Sequence, residues 1–453
     1  MTEQDDRDVD EALALVGKEP PTVPLPASPQ GHRAVPWAEA RARAEQTGRA
    51  AQLAVRRAPL DRTLGQVLAE PLTALSDLPS FDTSAMDGWA VAGPGPWRIE
   101  GDGGVLAGHS APAPLADGEA VRIATGARIP PGSTAVVRTE HARTEHARTE
   151  HARTEHTRSE PGRTDHGATS LPAPLLHARR PVVHGQDIRP RGQECRSGDQ
   201  LLPIGALVTP AVLGLAAAAG YDELLTVPRP RVDILILGDE LLVEGLPHDG
   251  LIRDALGPMI GPWLRALGAD VLSTRRLGDD ADALHRAVTT SGADLIVTTG
   301  GTAAGPVDHV HPILRKAGAD LVVDGVAVRP GHPMLLARLT ETRHLVGLPG
   351  NPLAAVSGLL TLAEPLLRTR SGRPAVEAYA APVREEVQGH PYDTRLVPVV
   401  HRAEEIVPLH FNGPAMLRGM AAADGLAVVP PGGARAGQRL EILDLPWAGE
   451  CFT

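Results

Sequence analysis

The spacing of apolar and polar positions changes character several times along this chain, and each change marks a different kind of element. "VPWAEARARAEQTG" (35–48) carries alanine, glutamate and arginine at helix-favouring positions. It predicts a helix with Pro36 in its first turn. From about residue 75 to 195 short Val/Ile runs alternate with Gly/Pro clusters, as in "GWAVAGPGPWRIEGDGGVLAG"; that pattern predicts a small all-β domain. From 231 the pattern changes again. "RVDILIL", "ADVLSTRRL" and "ADLIVTT" read as strands. "ALGPMIGPWLRALG" reads as a helix containing breakers, and "DADALHRAVTTSG" as a helix capped by Asp280 or Asp282. Strands alternating with helices predict a parallel sheet covered on both faces. Past about 373, the Val-rich runs "RLVPVVH", "GLAVVPPGG" and "QRLEIL" predict a second small β domain.

A length of 453 residues calls for several domains. Aromatics are only 2% of a chain that is 42% hydrophobic, so its cores must be built from Leu, Val, Ile and Ala. The net charge of −11 argues against nucleic-acid binding, which needs a basic surface. No apolar run is long enough for a membrane span. The acidic start, "MTEQDDRDVDEALALVGKEP", lacks the features of a signal peptide. Two cysteines, Cys195 and Cys451, imply no disulfide framework. A cytoplasmic protein is expected. Residues 1–35, acidic and then proline-rich, read as a disordered tail.

One stretch, 138–166, repeats Arg-Thr-Glu-His-Ala with a five-residue period. Five residues turn a helix by about 140° beyond a full turn, so His141, His146, His151 and His156 share no helical face. In a strand an odd period sends them to opposite faces. The repeat is therefore read as a solvated insertion rather than a ligand cluster.

Ligands of open parallel sheets sit beyond the carboxyl ends of the strands. Three stretches leave such ends: "LGDELL" with Asp239 and Glu240; "TTGGTAAGPVD" with Gly300, Gly301, Gly305 and Asp308; and "GLPGNP", where Asn351 can cap a helix whose first turn holds Pro352. A helix start with free N–H groups is an anion site. Glycines allow close backbone approach to phosphate, and carboxylates beside such a loop commonly share Mg²⁺ with phosphate oxygens. The alternative for the glycine loop is a tight turn with Asp308 capping the next helix.

Together, "SAMDGWAV" (84–91), "IATGARIPPGSTAVV" (123–137), "IRPRGQE" (188–194), "LGDEL", "GGTAAGPVD", "VRPGHP" and "GLPGNP" resemble, in order and spacing, the motifs of the molybdopterin molybdenumtransferase family, which includes MoeA and the E domain of gephyrin. The resemblance runs from about Val35 to the C-terminus. It implies an enzyme of molybdenum cofactor biosynthesis that takes adenylylated molybdopterin and molybdate, hydrolyses the adenylate and releases AMP and molybdenum cofactor, with Mg²⁺ assisting. By matching position it assigns catalytic roles to Asp87, Glu194 and Asp308. Substrate contacts fall to Thr125, Gly300, Gly301, Gly305, Arg329, His332, Pro349, Gly350 and Asn351, and metal contacts to Glu240, Asp254 and Asp308. The chain departs from the family pattern at Ala255 and Leu256, Ala303, Arg329, His332 and Ala354. The acidic side of the site is thus better kept than the molybdate side, and a non-catalytic molybdopterin-binding paralogue or scaffold is the alternative.

The resemblance also implies a mixed multidomain α/β plus β fold. An elongated helical linker domain would take 36–74 and 196–229. A β domain carrying the repeat would take 75–195, a parallel α/β molybdopterin-binding domain 230–372 and a β-barrel 373–453. Homodimers are implied, with the cleft between the α/β domain of one subunit and the "SAMDG" domain of the other. The molybdopterin adenylyltransferase is a further partner to consider.

Overall fold

The computed structural model describes residues 34–101, 103–108, 112–145, 173–302, 309–375 and 377–447. Most of the N-terminal tail, His146, His151, His156, Ala303, Gly305, Asp308 and Cys451 lie outside the described residues. The chain divides into two compact units, one of residues 71–203 and 211–222, the other of the remainder. This division is coarser than the four domains read from the sequence.

The larger unit is built on a six-stranded sheet in the order Asp270–Leu277, Arg231–Leu237, Leu295–Thr299, His344–Leu348, Leu335–Arg338, Asp320–Asp324. The first four strands are parallel. The last two pair antiparallel, so the sheet is mixed rather than purely parallel. The reason is local: Leu335–Arg338 returns directly along His344–Leu348, a reversal too short for a crossover helix. Alternation along Arg231–Leu237 sends Val232, Ile234 and Ile236 to one face and Leu235 to the other. Helices Trp37–Ala50, Leu256–Ala266 and the helical run from Pro352 to Arg370 cover the first face. Ala281–Thr290 and Val310–Lys316 cover the second. Asp233 is buried within the sheet because Ser273 and Ser291 each donate a hydroxyl to it at 2.6 Å.

The Trp37–Ala50 helix, expected in a linker domain, packs on this core. Ala40, Ala44 and Gly48 form a small-residue stripe spaced by four, which lets it approach the run from Pro352 to Arg370 closely. A Cβ on Gly48 would lie 2.5 Å from the Leu366 carbonyl oxygen. Pro36 sits at the N-cap position, one residue before the helix, because Val35–Pro36 already pairs as a strand with Val326–Arg329. Of the two candidate caps for the Ala281 helix, Asp280 is the one that accepts from Asp282 N and Ala283 N.

The C-terminal strands close on themselves. Glu405–Pro408, Thr394–Arg402, Gly425–Val429, Arg439–Asp444 and Tyr379–Pro382 pair in succession. A bridge between Val383 and Ile406 then completes the ring. Val326–Arg329 joins this barrel from outside, parallel to Thr394–Arg402.

The smaller unit holds a six-stranded sheet with Ala142–Glu145 and Ala135–Arg138 at its edges. Of the first residues of the pentapeptide repeat, Arg138 ends one strand and Ala142–Glu145 form another, joined by a 3₁₀ turn over Thr139–His141, whereas the period alone read as a solvated insertion. Glu145, Thr144, Arg143 and Ala142 pair with Leu175–Ala178, and register with that strand decides their conformation. The rest of the repeat lies outside the described residues.

Candidate functional site

A cavity of about 470 Å³ opens beyond the carboxyl ends of the four parallel strands. Leu237 and Gly238 come from the first strand end, Gly278 and Asp279 from the second, Thr299 to Gly301 from the third, and Gly350 and Asn351 from the fourth. Glu240, Asp254, Gly300, Gly301, Gly350 and Asn351, all predicted as site residues, therefore meet at one cavity. Arg329, His332 and Pro349 do not line it. The described neighbours of the glycine loop, Thr299 to Gly301 and His309, do.

Gly300 and Gly301 take φ of +82° and +64°, the left-handed region. A Cβ on Gly350 would sit 3.7 Å from the Gly300 Cα, so two glycine backbones face one another across the cavity floor. The turn and the open space have the same cause: side chains are missing where strand ends must both reverse and leave room.

The carboxylates differ. Asp254 is 4% exposed and both of its oxygens are engaged. Oδ1 accepts from Gly257 N at 2.7 Å, at the start of the Leu256 helix. Oδ2 accepts from Arg276 Nε at 2.9 Å and Nη2 at 2.7 Å. Its charge is matched inside the protein. Glu240 is exposed, and its carboxylate has no hydrogen-bond or ion-pair partner among the described residues. The two are tied through the backbone: Ile252 N donates to Glu240 O at 2.8 Å and Asp254 N to Leu242 O at 3.0 Å. Among the described residues, no three of His, Cys, Asp and Glu converge as a metal site.

The "GLPGNP" turn differs from its expectation in one respect. Pro352 occupies the first helical position and Asn351 the N-cap, but the Asn351 side chain makes no capping bond. Leu353 N and Ala354 N, which a free helix start would offer to an anion, both donate to the Pro414 carbonyl, at 2.9 and 3.3 Å. That helix start is closed by the chain's own loop, which also gives Ala415 and Leu417 to the cavity wall.

Arg329 Nε donates to Asp393 Oδ2 at 2.8 Å. His332 Nδ1 donates to Val326 O at 2.9 Å. Two residues escaped the sequence reading. Arg276 neutralises Asp254, and nothing in "STRRL" distinguishes it from its neighbours. Arg395 pairs in register with Arg329 and donates to Gln388 O and Asn412 Oδ1. It has no carboxylate partner among the described residues, and burial holds its guanidinium below the usual arginine value. A half-buried cation so placed is the kind of group an oxyanion neutralises.

In the smaller unit, Asp87 and Thr125 are brought together. Thr125 donates to Asp87 Oδ1 from its backbone N at 2.6 Å and from its hydroxyl at 2.9 Å. These two bonds, the backbone one foremost, hold the Asp87 carboxyl below the usual aspartate value. Glu194 is exposed, fixed through its own N–H to Leu78 O, and makes no hydrogen bond to Asp87 or Thr125.

Three family profiles cover the chain in order: MoeA N-terminal region (domain I and II) over 35–220, probable molybdopterin binding domain over 233–369, and MoeA C-terminal region (domain IV) over 380–445. A protein of Staphylococcus aureus named molybdopterin molybdenumtransferase is 29% identical over 406 residues, covering 85% of this chain and 90% of that protein. The crystal structure of the molybdopterin biosynthesis MoeA protein from Pyrococcus horikoshii matches with a TM-score of 0.65 at 22% identity, covering 91% of this chain and 99% of that one; at that identity it speaks for the fold. Molybdopterin molybdenumtransferase 2 of Mycobacterium tuberculosis is 32% identical over 416 residues, covering 85% of this chain and 94% of that protein. With the three profiles in sequence and this relative matched over nearly its whole length, the chain belongs to the molybdopterin molybdenumtransferase family.

Proposed function

We infer that this chain acts in molybdenum cofactor biosynthesis as a molybdopterin molybdenumtransferase, inserting molybdate into adenylylated molybdopterin and hydrolysing the adenylate to release AMP and molybdenum cofactor. The observation that carries the reading is the cavity at the strand ends, where Gly300, Gly301 and Gly350 leave room beside Glu240 for a phosphorylated, flat ligand. In this reading Asp87, Glu194 and Asp308 are the catalytic carboxylates. Thr125, Gly305, Pro349 and Asn351 contribute to the substrate site. Arg329 and His332, joined by Arg395, form the oxyanion side for molybdate.

The donor set suits Mg²⁺ only in part. Magnesium keeps several waters and takes one or two carboxylates with substrate phosphate. Glu240 fits that role and Asp308 is its partner in the assignment. Asp254, already matched by Arg276, serves better to fix the loop behind Glu240 than to ligate. When bound, the ion would draw charge from phosphate oxygens. Glu240 would hold the ion at the cavity, and the glycines let phosphate approach the backbone. A homodimer, a cytoplasmic location and supply by an adenylyltransferase belong to the same reading.

The test is AMP release from adenylylated molybdopterin with molybdate and Mg²⁺, beside complementation of a molybdenumtransferase-deficient strain. Asp308→Asn keeps size and removes charge; AMP release should fall about a hundredfold or more, with pterin binding better preserved. Equal rates for wild type and variant would remove Asp308 from the site. The closed helix start at Pro414 and the spent charge of Asp254 favour a second reading, a pterin-binding member without turnover. No release from wild type with pterin binding retained would support it.

A further inference from the structure

We propose that the ion pair between Arg138 and Asp187 is a positioning device for Asp87, so that the first Arg-Thr of the pentapeptide repeat belongs to the working machinery. The inference rests on the assignment of Asp87 to the site. Asp87 sits between two backbone segments of the smaller unit. On one side, the strand Gly88–Val91 runs against Ala135–Arg138, with Gly88 opposite Arg138. The approach is so close that a Cβ on Gly88 would lie 2.1 Å from the Val137 carbonyl oxygen. The next residue, Thr139, donates to the Asp87 carbonyl from its N–H at 3.1 Å and from its hydroxyl at 3.3 Å. On the other side, the Asp187 carbonyl accepts from Ala85 N at 2.8 Å, and Ile188 pairs with Ser84.

Arg138 joins the two sides. Its Nε and Nη2 donate to Asp187 Oδ2 and Oδ1 at 2.9 and 2.8 Å, a two-pronged pairing. Asp187 has φ of +55°, a left-handed conformation uncommon for non-glycine residues and least costly for Asn and Asp. The turn that holds it is closed by backbone bonds, Ile188 N donating to Gly185 O at 3.2 Å and Val136 N to Gln186 O at 2.9 Å, and the guanidinium fork ties its side chain to the Arg138 strand. Without the fork, the Asp187 turn loses its tie to the Arg138 strand, the acceptor it offers Ala85 N is less firmly placed, and Asp87 is held firmly from one side only. Its carboxylate then leaves the two Thr125 donors. The charged groups nearby are Arg122 beside Asp87, Glu140 beside Arg138 and His141 beside Asp187.

The experiment uses the full chain with Arg138→Met, Arg138→Lys and Asp187→Asn. Three quantities are read: the titration of the Asp87 carboxyl by ¹³C NMR, assigned with Asp87→Asn; the melting temperature; and kcat and KM for AMP release. In Arg138→Met and Asp187→Asn the Asp87 carboxyl should titrate higher than in wild type, toward the ordinary aspartate value. The kcat should fall about tenfold, with KM within about twofold. Arg138→Lys should recover part of both effects. If Arg138→Met fails to fold, Asp187→Asn decides, because asparagine tolerates the left-handed conformation. An Asp87 titration unchanged in the folded variants would overturn the proposal. If wild type released no AMP, the enzymatic reading would fail while the titration still judged the positioning.

Discussion

Asp254 illustrates how a neighbour redefines a residue. The family resemblance assigns it to a metal by matching position; in the fold it is 4% exposed and bound by Arg276 and Gly257 N. Removing Arg276 leaves a buried carboxylate without its cation. Breaking a buried pair from one side costs several kcal/mol, reduced here because the Arg276 side chain is 39% exposed. Arg276→Met should therefore lower stability by about 2 kcal/mol in urea denaturation. The double variant with Asp254→Asn should recover most of the loss, since the stranded charge is gone. A single variant as stable as wild type would show that solvent, not Arg276, satisfies Asp254.

The strands and the repeat carry predictions of their own. His344, at the start of the His344–Leu348 strand, is 1% exposed and accepts at Nδ1 from Arg370 Nη1 at 3.1 Å. Burial foremost, then the Arg370 charge, pushes its pKa down to about 4. The folded state thus keeps His344 neutral where the unfolded chain, near 6.5, takes up a proton. Its contribution is fully present above pH 6.5 and declines as the pH falls toward 4, because the unfolded state binds more protons across that window. The loss reaches about 2–3 kcal/mol. His344→Asn, which keeps an acceptor for Arg370, should flatten the fall in unfolding free energy between pH 7 and 5; an unchanged slope would assign the acid sensitivity to other groups. For the repeat, excising 146–160 should change stability by less than about 1 kcal/mol, since loop length enters only logarithmically. Excising 138–160 removes an edge strand and the Arg138–Asp187 pair, and should lower the melting temperature below that of the shorter deletion. Equal melting curves for the two deletions would show that the edge strand contributes nothing.

At the scale of the whole molecule, the homodimer is the open expectation, and light scattering at micromolar concentration should give twice the mass of one chain; a compact monomer would rule it out. No helix among the described residues is long and apolar enough to cross a membrane. By itself the sequence determined the elements whose cause is local. The strand at 231–237 follows from its apolar run, the Asp280 cap from a short carboxylate before a helix, and Pro352 at a first turn from its missing N–H. It also determined family membership and the cavity's position, because glycines and carboxylates after strand ends are written in consecutive letters. Tertiary structure decided whatever depends on partners distant in the chain. Arg276 reaches Asp254, Arg395 lies beside Arg329, and Pro414 occupies the N–H groups of Leu353 and Ala354. Among the described residues of the repeat, Arg138 pairs with Asp187 whereas Arg143 pairs with Glu145. A period records what a residue is, but its charge, exposure and free hydrogen-bonding capacity are set by what the fold places against it.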